Sequence, residues 1–264
     1  MLGHDESILH VNYRYVLDFI EKESTLTPNI KILDYGCGNG EIVEAGLEQG
    51  LEIYGVDIYT SSDAERIVAG KGLLGNRILK IKDNKVDFSD GFFDLIVSNQ
   101  VFEHVENIDA VLNEIFRILK PGGVFLTLFP SKDVWREGHC GIPFLHWFPK
   151  GSIIRYQYAF LLHSLGVGKN KSNLPRKEWV DYVILWLDQY CFYRSRNNIK
   201  RLFNQYFQLK FIEDDHILFR MKASKLNYLD SLVRFPLTKP FAKEMFRKLG
   251  GLVILATKPL LVHS

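Results

Sequence analysis

The 264-residue chain is poor in the residues that staple small extracellular folds. Its three cysteines, Cys37, Cys140 and Cys191, are odd in number and far apart, which excludes a disulfide framework and points to a reducing compartment. Long apolar runs are missing as well. The longest, GLVILAT and PGGVFLTLF, are strand-sized, well short of the ~18 residues that span a bilayer. The opening MLGHDESILH is polar and charged where a secretory signal carries an apolar run. No internal repeat and no low-complexity linker divides the chain. These absences predict a cytoplasmic globular protein, either one large domain or one domain with an elaboration.

Net charge is also small, at a formal +2, but it is unevenly spread. Residues 194–264 hold 14 Lys and Arg against 5 Asp and Glu. That basic quarter is either a solvated face or a surface for an anionic substrate or for peripheral membrane contact.

What is present centres on residues 31–40, KILDYGCGNG. An apolar strand-type run passes Asp34 and breaks into Gly36, Gly38 and Gly40, with Cys37 inside the turn, and EIVEAGLEQG then reads as a helix. Strand, glycine turn, helix lets backbone approach a ligand closely, with the helix N–H groups facing it. A second strand, LEIYGVDI, ends in Asp57, 17 residues after Gly40. A carboxylate at the end of the neighbouring strand can accept bonds from both hydroxyls of a ribose.

With ILDYGCGNG (32–40), YGVDI (54–58), FSDGFFDLIVSNQVFEHV (88–105) and LNEIFRILKPGGVFLTLFP (112–130), the chain resembles the class I S-adenosylmethionine (SAM) dependent methyltransferases. It looks most like the type 11 branch, which includes ubiquinone and menaquinone methyltransferases. The resemblance implies an α/β, Rossmann-like seven-stranded sheet, mostly parallel, with the last strand inserted antiparallel and helices on both faces. It implies SAM as cofactor, with Asp34 near the methionyl amine and the three glycines beneath methionine and ribose. Ile58 would pack on the adenine and Asp83-Asn84 would hold its edge, or Lys82-Asp83 in the alternative register. Asn99 and Gln100, after Ser98, would line the methionine end. Tyr13 and Arg14, on a first helix capped by Asp5 or Ser7, are candidates for a lid; plain packing is the other reading.

Strands are expected at 31–36, 52–58, 78–82, 93–99 and 122–130, with helices near 40–49, 61–70 and 107–119, the last stopping at Pro121-Gly122-Gly123. From Ser131 the alternation fails and aromatics accumulate. Residues 131–205 read as a helical cover over the substrate, and 1–130 with 206–264 as the SAM-binding core. Strand six is expected at 208–214, a second helical insertion at 222–249, and the last strand at 251–258. The amphipathic 229–249 stretch can dock on lipid or cover the sheet's edge.

Methyl transfer from a sulfonium needs donor and acceptor held close and water excluded, so the motifs are binding motifs. His104 is a candidate base or a loop-fixing residue. In WREGHCGIPFLHW (135–147), His139 or His146 is a candidate base, with Glu137 or Arg136 orienting an acceptor between Trp135, Phe144 and Trp147. His139, Cys140 and His146 supply too few ligands for zinc, and no metal is expected. The acceptor is expected to be a small or lipid-linked molecule methylated at oxygen. A nicotinamide dehydrogenase and a non-catalytic SAM-binding scaffold are the alternatives. No Asn-Pro-Pro-Tyr motif or RNA-binding appendage supports a nucleic-acid partner.

Overall fold

The computed structural model of the chain describes residues 10–59, 62–169, 174–226, 228 and 230–260. Seven strands form one sheet: β1 (Lys31–Tyr35), β2 (Glu52–Asp57), β3 (Ile78–Lys80), β4 (Phe93–Asn99), β5 (Leu119–Phe129), β6 (Gln208–Phe211) and β7 (Leu252–Thr257). Their order is β3-β2-β1-β4-β5-β7-β6. The pairs among β1 to β5 are parallel, and β7 runs antiparallel between β5 and β6. This is the expected Rossmann-like arrangement.

The strands are continuous apolar runs because both faces are covered. Leu33, Ile96, Phe125 and Ile254 point to one face, against α4 (Ile108–Ile118) and Ile199 and Phe203 of α7 (Arg196–Phe203). Ile32, Leu95, Leu126 and Val253 point to the other. There α1 (Val11–Leu26), α2 (Glu41–Glu48) and α3 (Ser62–Gly70) pack, joined by α8 (Glu213–Ala223) and α10 (Lys239–Leu249) through Phe219 and Phe246. His10, whose ring accepts the Asn12 N–H, caps α1. The expected caps Asp5 and Ser7 lie outside the described residues.

Three boundaries differ from the sequence reading. Helix α4 ends at Ile118, and β5 already pairs Leu119 with Phe93 before the register shifts at residues 120–123. The Pro-Gly-Gly stretch is therefore a bulge inside strand β5, not the stop before it; Gly122, at φ 77°, donates its N–H to Lys258 O. Strand β3 stops at Lys80 because Lys82 and Lys85 bond each other's backbone across a tight turn. Strand β6 stops at Phe211 because Glu213, Asp214 and Asp215 suit the first turn of a helix, where N–H groups face outward. Glu213 is fully buried and takes two bonds from Arg247, at 2.8 and 3.0 Å, tying α8 to α10.

Residues after β5 carry α5 (Ile153–Ser164) and α6 (Arg176–Tyr190). These helices build a separate small core around Trp179, Val183, Leu187 and Cys191. Helix α7 packs on the sheet instead. A five-residue helix, α9 (Asp230–Arg234), precedes α10. Among the described residues no helix is long and apolar enough to cross a membrane.

Candidate active site

The glycine turn and the end of β2 are locked together. Gly36 and Cys37 donate their N–H groups to Val56 O, and Gly38 donates to Asp57 Oδ2 at 2.9 Å. Asp57 Oδ1 takes the Tyr59 N–H at 3.0 Å. Gly36 has φ 82°, and a Cβ there would stand 2.3 Å from Val101. Gly38 has φ 50° and open space where a Cβ would project.

Above this turn lies a cavity of 570 Å³. Of the expected cofactor residues, Gly36, Gly38, Asp57, Ile58, Asn84, Asn99 and Gln100 line it, together with Tyr13 of α1 and His104. Ile58 is 59% exposed, a large apolar surface held against the cavity. The Asn99 Oδ1 is buried with no partner in the protein, so it is open to a ligand donor. Asp34 lies beneath, 2% exposed. Burial, then the charges of Asp57 and Glu41, push its carboxyl up to about 8. Burial and the charges of Glu41 and Asp34 likewise push Tyr13 up to about 12.

Asp34, Cys37, Gly40 and Asp83 are not on the wall. The Cys37 side chain turns into the core, 3.7 Å from the Tyr59 hydroxyl, where it fills the space left by Gly55. Gly40 opens helix α2 at φ 75° with its Cα side against Ile78. Asp83 and Asn84, both at positive φ, are the centre of the Lys82–Lys85 turn, which leaves Asp83 facing solvent.

A second cavity, of 560 Å³, lies in the cover, lined by His139, Cys140, Trp179, Tyr182 and Trp186. Trp135, Phe144 and Trp147 do not line it; Phe144 and Trp147 pack on each other with their rings tilted by 57°, and the Trp147 indole donates to Val134 O. The expected aromatic wall is therefore supplied by α6. The two cavities approach at one point: the rings of His104 and His139 are 5.1 Å apart, centre to centre.

Both rings are held. His104 Nδ1 is 2.8 Å from Tyr190 O. Burial lowers its pKa, with the Tyr190 carbonyl opposing. His139 Nδ1 is 2.7 Å from Glu137 Oε1, which also accepts the Tyr193 hydroxyl at 2.6 Å. Glu137 Oε2 accepts the Cys140 N–H at 2.6 Å. Burial alone would raise Glu137, but the bonds from His139, Cys140 and Tyr193 hold it well below the usual carboxylate range. Nearby Glu103 is buried with Oε2 unpartnered, and burial pushes it up to about 8. His146 is buried behind Tyr193, close to the backbone of Lys132 and Val134, and reaches neither cavity wall. Glu137, Tyr193 and Cys191 complete the site; Tyr193 and Cys191 carried no sequence signal.

A family model described as "Methyltransferase domain" matches residues 8–209, and the chain belongs to that family. By family and fold it groups with the class I SAM-dependent methyltransferases. It is 29% identical over 151 residues to a ubiquinone biosynthesis O-methyltransferase of Bartonella tribocorum, 55% of this chain and 61% of that protein. It is 29% identical over 145 residues to a sterol 4-C-methyltransferase of Caenorhabditis elegans, 48% and 43% of the two chains. The match thus spans at most about three-fifths of these relatives' length. The fold is shared with an S-adenosylmethionine dependent methyltransferase from Mesorhizobium loti, at TM-score 0.52 and 16% identity over 93% of this chain and 100% of that one.

Proposed function

We propose that the protein moves the sulfonium methyl of SAM to a hydroxyl of a small or lipid-linked acceptor. The observation that carries this reading is the meeting of two cavities at His104 and His139, one beside the glycine turn and one inside the aromatic cover. SAM occupies the first, with Asp57 on its ribose, Ile58 on its adenine, Asp34 facing its amine and Asn99 at its methionine end. The acceptor lies against Trp179, Tyr182 and Trp186, and its hydroxyl reaches the histidine pair, where its proton leaves. The oxygen lone pair forms the O–CH3 bond while the S–CH3 pair stays on sulfur, giving S-adenosylhomocysteine. Two facing cavities serve transfer; a scaffold needs only the first, and family membership sets the dehydrogenase reading aside. Two of the relatives are named for O-methylation in ubiquinone biosynthesis and for 4-C-methylation of a sterol. Exposed Leu232, Phe235, Leu237 and Phe241 beside Arg234 and Lys239 support contact with an anionic lipid surface while such an acceptor is taken up.

The test is methyl transfer from labelled SAM to a panel of catechols, prenylated phenols and sterols. Wild type is expected to give an O-methylated product. His139→Ala is expected to lose about 100-fold or more in kcat, the scale of a lost proton-handling group, with S-adenosylhomocysteine affinity unchanged. Full turnover in the variant would contradict the placement of the acceptor.

A further inference from the structure

The cover cavity has an apolar floor and a charged mouth. Trp179, Val183 and Leu187 of its lining are buried, whereas Leu174, Tyr182 and Lys169 are exposed. Lys169 thus brings a cation to a mainly apolar lining. The Arg136 side chain reaches the same point: a Cβ at Gly141 would stand 2.7 Å from Lys169 Cγ and 3.3 Å from Arg136 Nη2. We propose that Arg136 and Lys169 bind an oxyanion, a carboxylate or a phosphate, carried by an acceptor whose apolar body fills the cover cavity.

The backbone brings the two cations together. Gly141, at φ 71°, has no side chain to part them. The Lys169 N–H donates to Cys140 O at 2.6 Å, which ties the segment after α5 to this turn. Arg136 forms a bridge with Pro143, and its Nε donates to Gly141 O at 2.8 Å. That bond fixes the guanidinium and leaves both Nη groups without a partner among the described residues. The Lys169 ammonium has no acidic partner among them either. Glu137, next to Arg136 in the chain, faces inward and is taken up by His139, Cys140 and Tyr193. Two like charges side by side repel, and an anion between them removes the repulsion and gains charge-assisted bonds. The planar fork of arginine suits a group with two oxygens, and lysine adds a point charge.

The anion fixes which way the acceptor lies. With its charged end at the mouth and its body against Trp179 and Trp186, the rest of the molecule faces His139, which lines the same cavity. A neutral ring of the same shape fills the floor equally well, but neither of its ends is held. That the bound molecule is the methyl acceptor rests on the methyl-transfer reading; the binding of an oxyanion does not.

The full-length protein is titrated calorimetrically with three probes that share one ring system: naphthoate, naphthyl phosphate and the uncharged methyl naphthoate. At least one anion is expected to bind about 10-fold more tightly than the ester, a modest factor because exposed charges are screened. The advantage is expected to shrink as salt is added. A preference for naphthoate points to a carboxylate acceptor and one for naphthyl phosphate to a phosphoester; either supports the site. With Arg136→Gln and Lys169→Gln combined, the advantage is expected to disappear while the ester binds as before. Lys169→Arg, which keeps the charge, is expected to retain it. S-adenosylhomocysteine is titrated into the same samples. Its unchanged binding shows that the variants are folded, and its failure to bind wild type would count against the cofactor reading alone. No binding of either anion, an ester bound as tightly, or an advantage undiminished in the double variant would overturn the site.

Discussion

Asp57→Ala is expected to weaken S-adenosylhomocysteine binding by about 100-fold or more, because two charge-assisted hydrogen bonds to the ribose are lost. The residue has a second task that makes the effect larger. Its carboxylate already takes the Gly38 and Tyr59 N–H groups at 2.9 and 3.0 Å, so it shapes the floor on which the ligand lies. Asp57→Asn, which keeps one acceptor oxygen, is expected to retain more of the turn and to bind more tightly than the alanine variant. Calorimetric titration of the three proteins measures this order. Equal affinities would remove Asp57 from the ribose.

Asp34→Asn is expected to bind the same ligand poorly and yet to be the more stable protein. An Asp ordinarily titrates near 3.8, and burial, Asp57 and Glu41 push Asp34 up to about 8. The folded state thus holds a proton that the unfolded chain gives up. The stability this allows is present in full below about pH 4 and is lost as the pH climbs through 4 to 8. Asparagine carries no such cost. The variant should match wild type near pH 4 and exceed it at pH 8 by on the order of a few kcal/mol, several degrees in Tm. Wild type should also release a proton when the ligand's ammonium binds at pH 7, seen as a heat that depends on the buffer's ionisation enthalpy; the variant should not. Parallel stability curves at pH 4 and pH 8 would refute this account of Asp34.

The sheet was legible because each of its main strands is an apolar run, and the glycine turn because Gly36 cannot carry a side chain beside Val101. Residues 119–123 misled because Pro121-Gly122-Gly123 is the usual helix stop and also an acceptable bulge; only pairing with Phe93 and Lys258 separates the two. Cys37 sits in the cofactor motif but packs against Gly55, a contact between the turn and strand β2 that local sequence does not record. In the cover, His139 and His146 look alike in sequence. What distinguishes them is a Glu137 contact for one and burial behind Tyr193 for the other. The helical spacing of Trp179, Tyr182 and Trp186 reads as core. Trp179 is indeed core and also lines the cover cavity, whereas Tyr182 is exposed and serves only as its wall. Cys191 meets His104 across 87 residues and His139 across 52, so nothing in the local pattern could place it.

The central claim is that the cavity above the glycine turn is built for SAM. Calorimetric titration of the purified protein with S-adenosylhomocysteine and, separately, with NADH tests it directly. One-to-one binding of S-adenosylhomocysteine, with no heat from NADH, is the predicted result. Binding of NADH instead, or of neither, would contradict it.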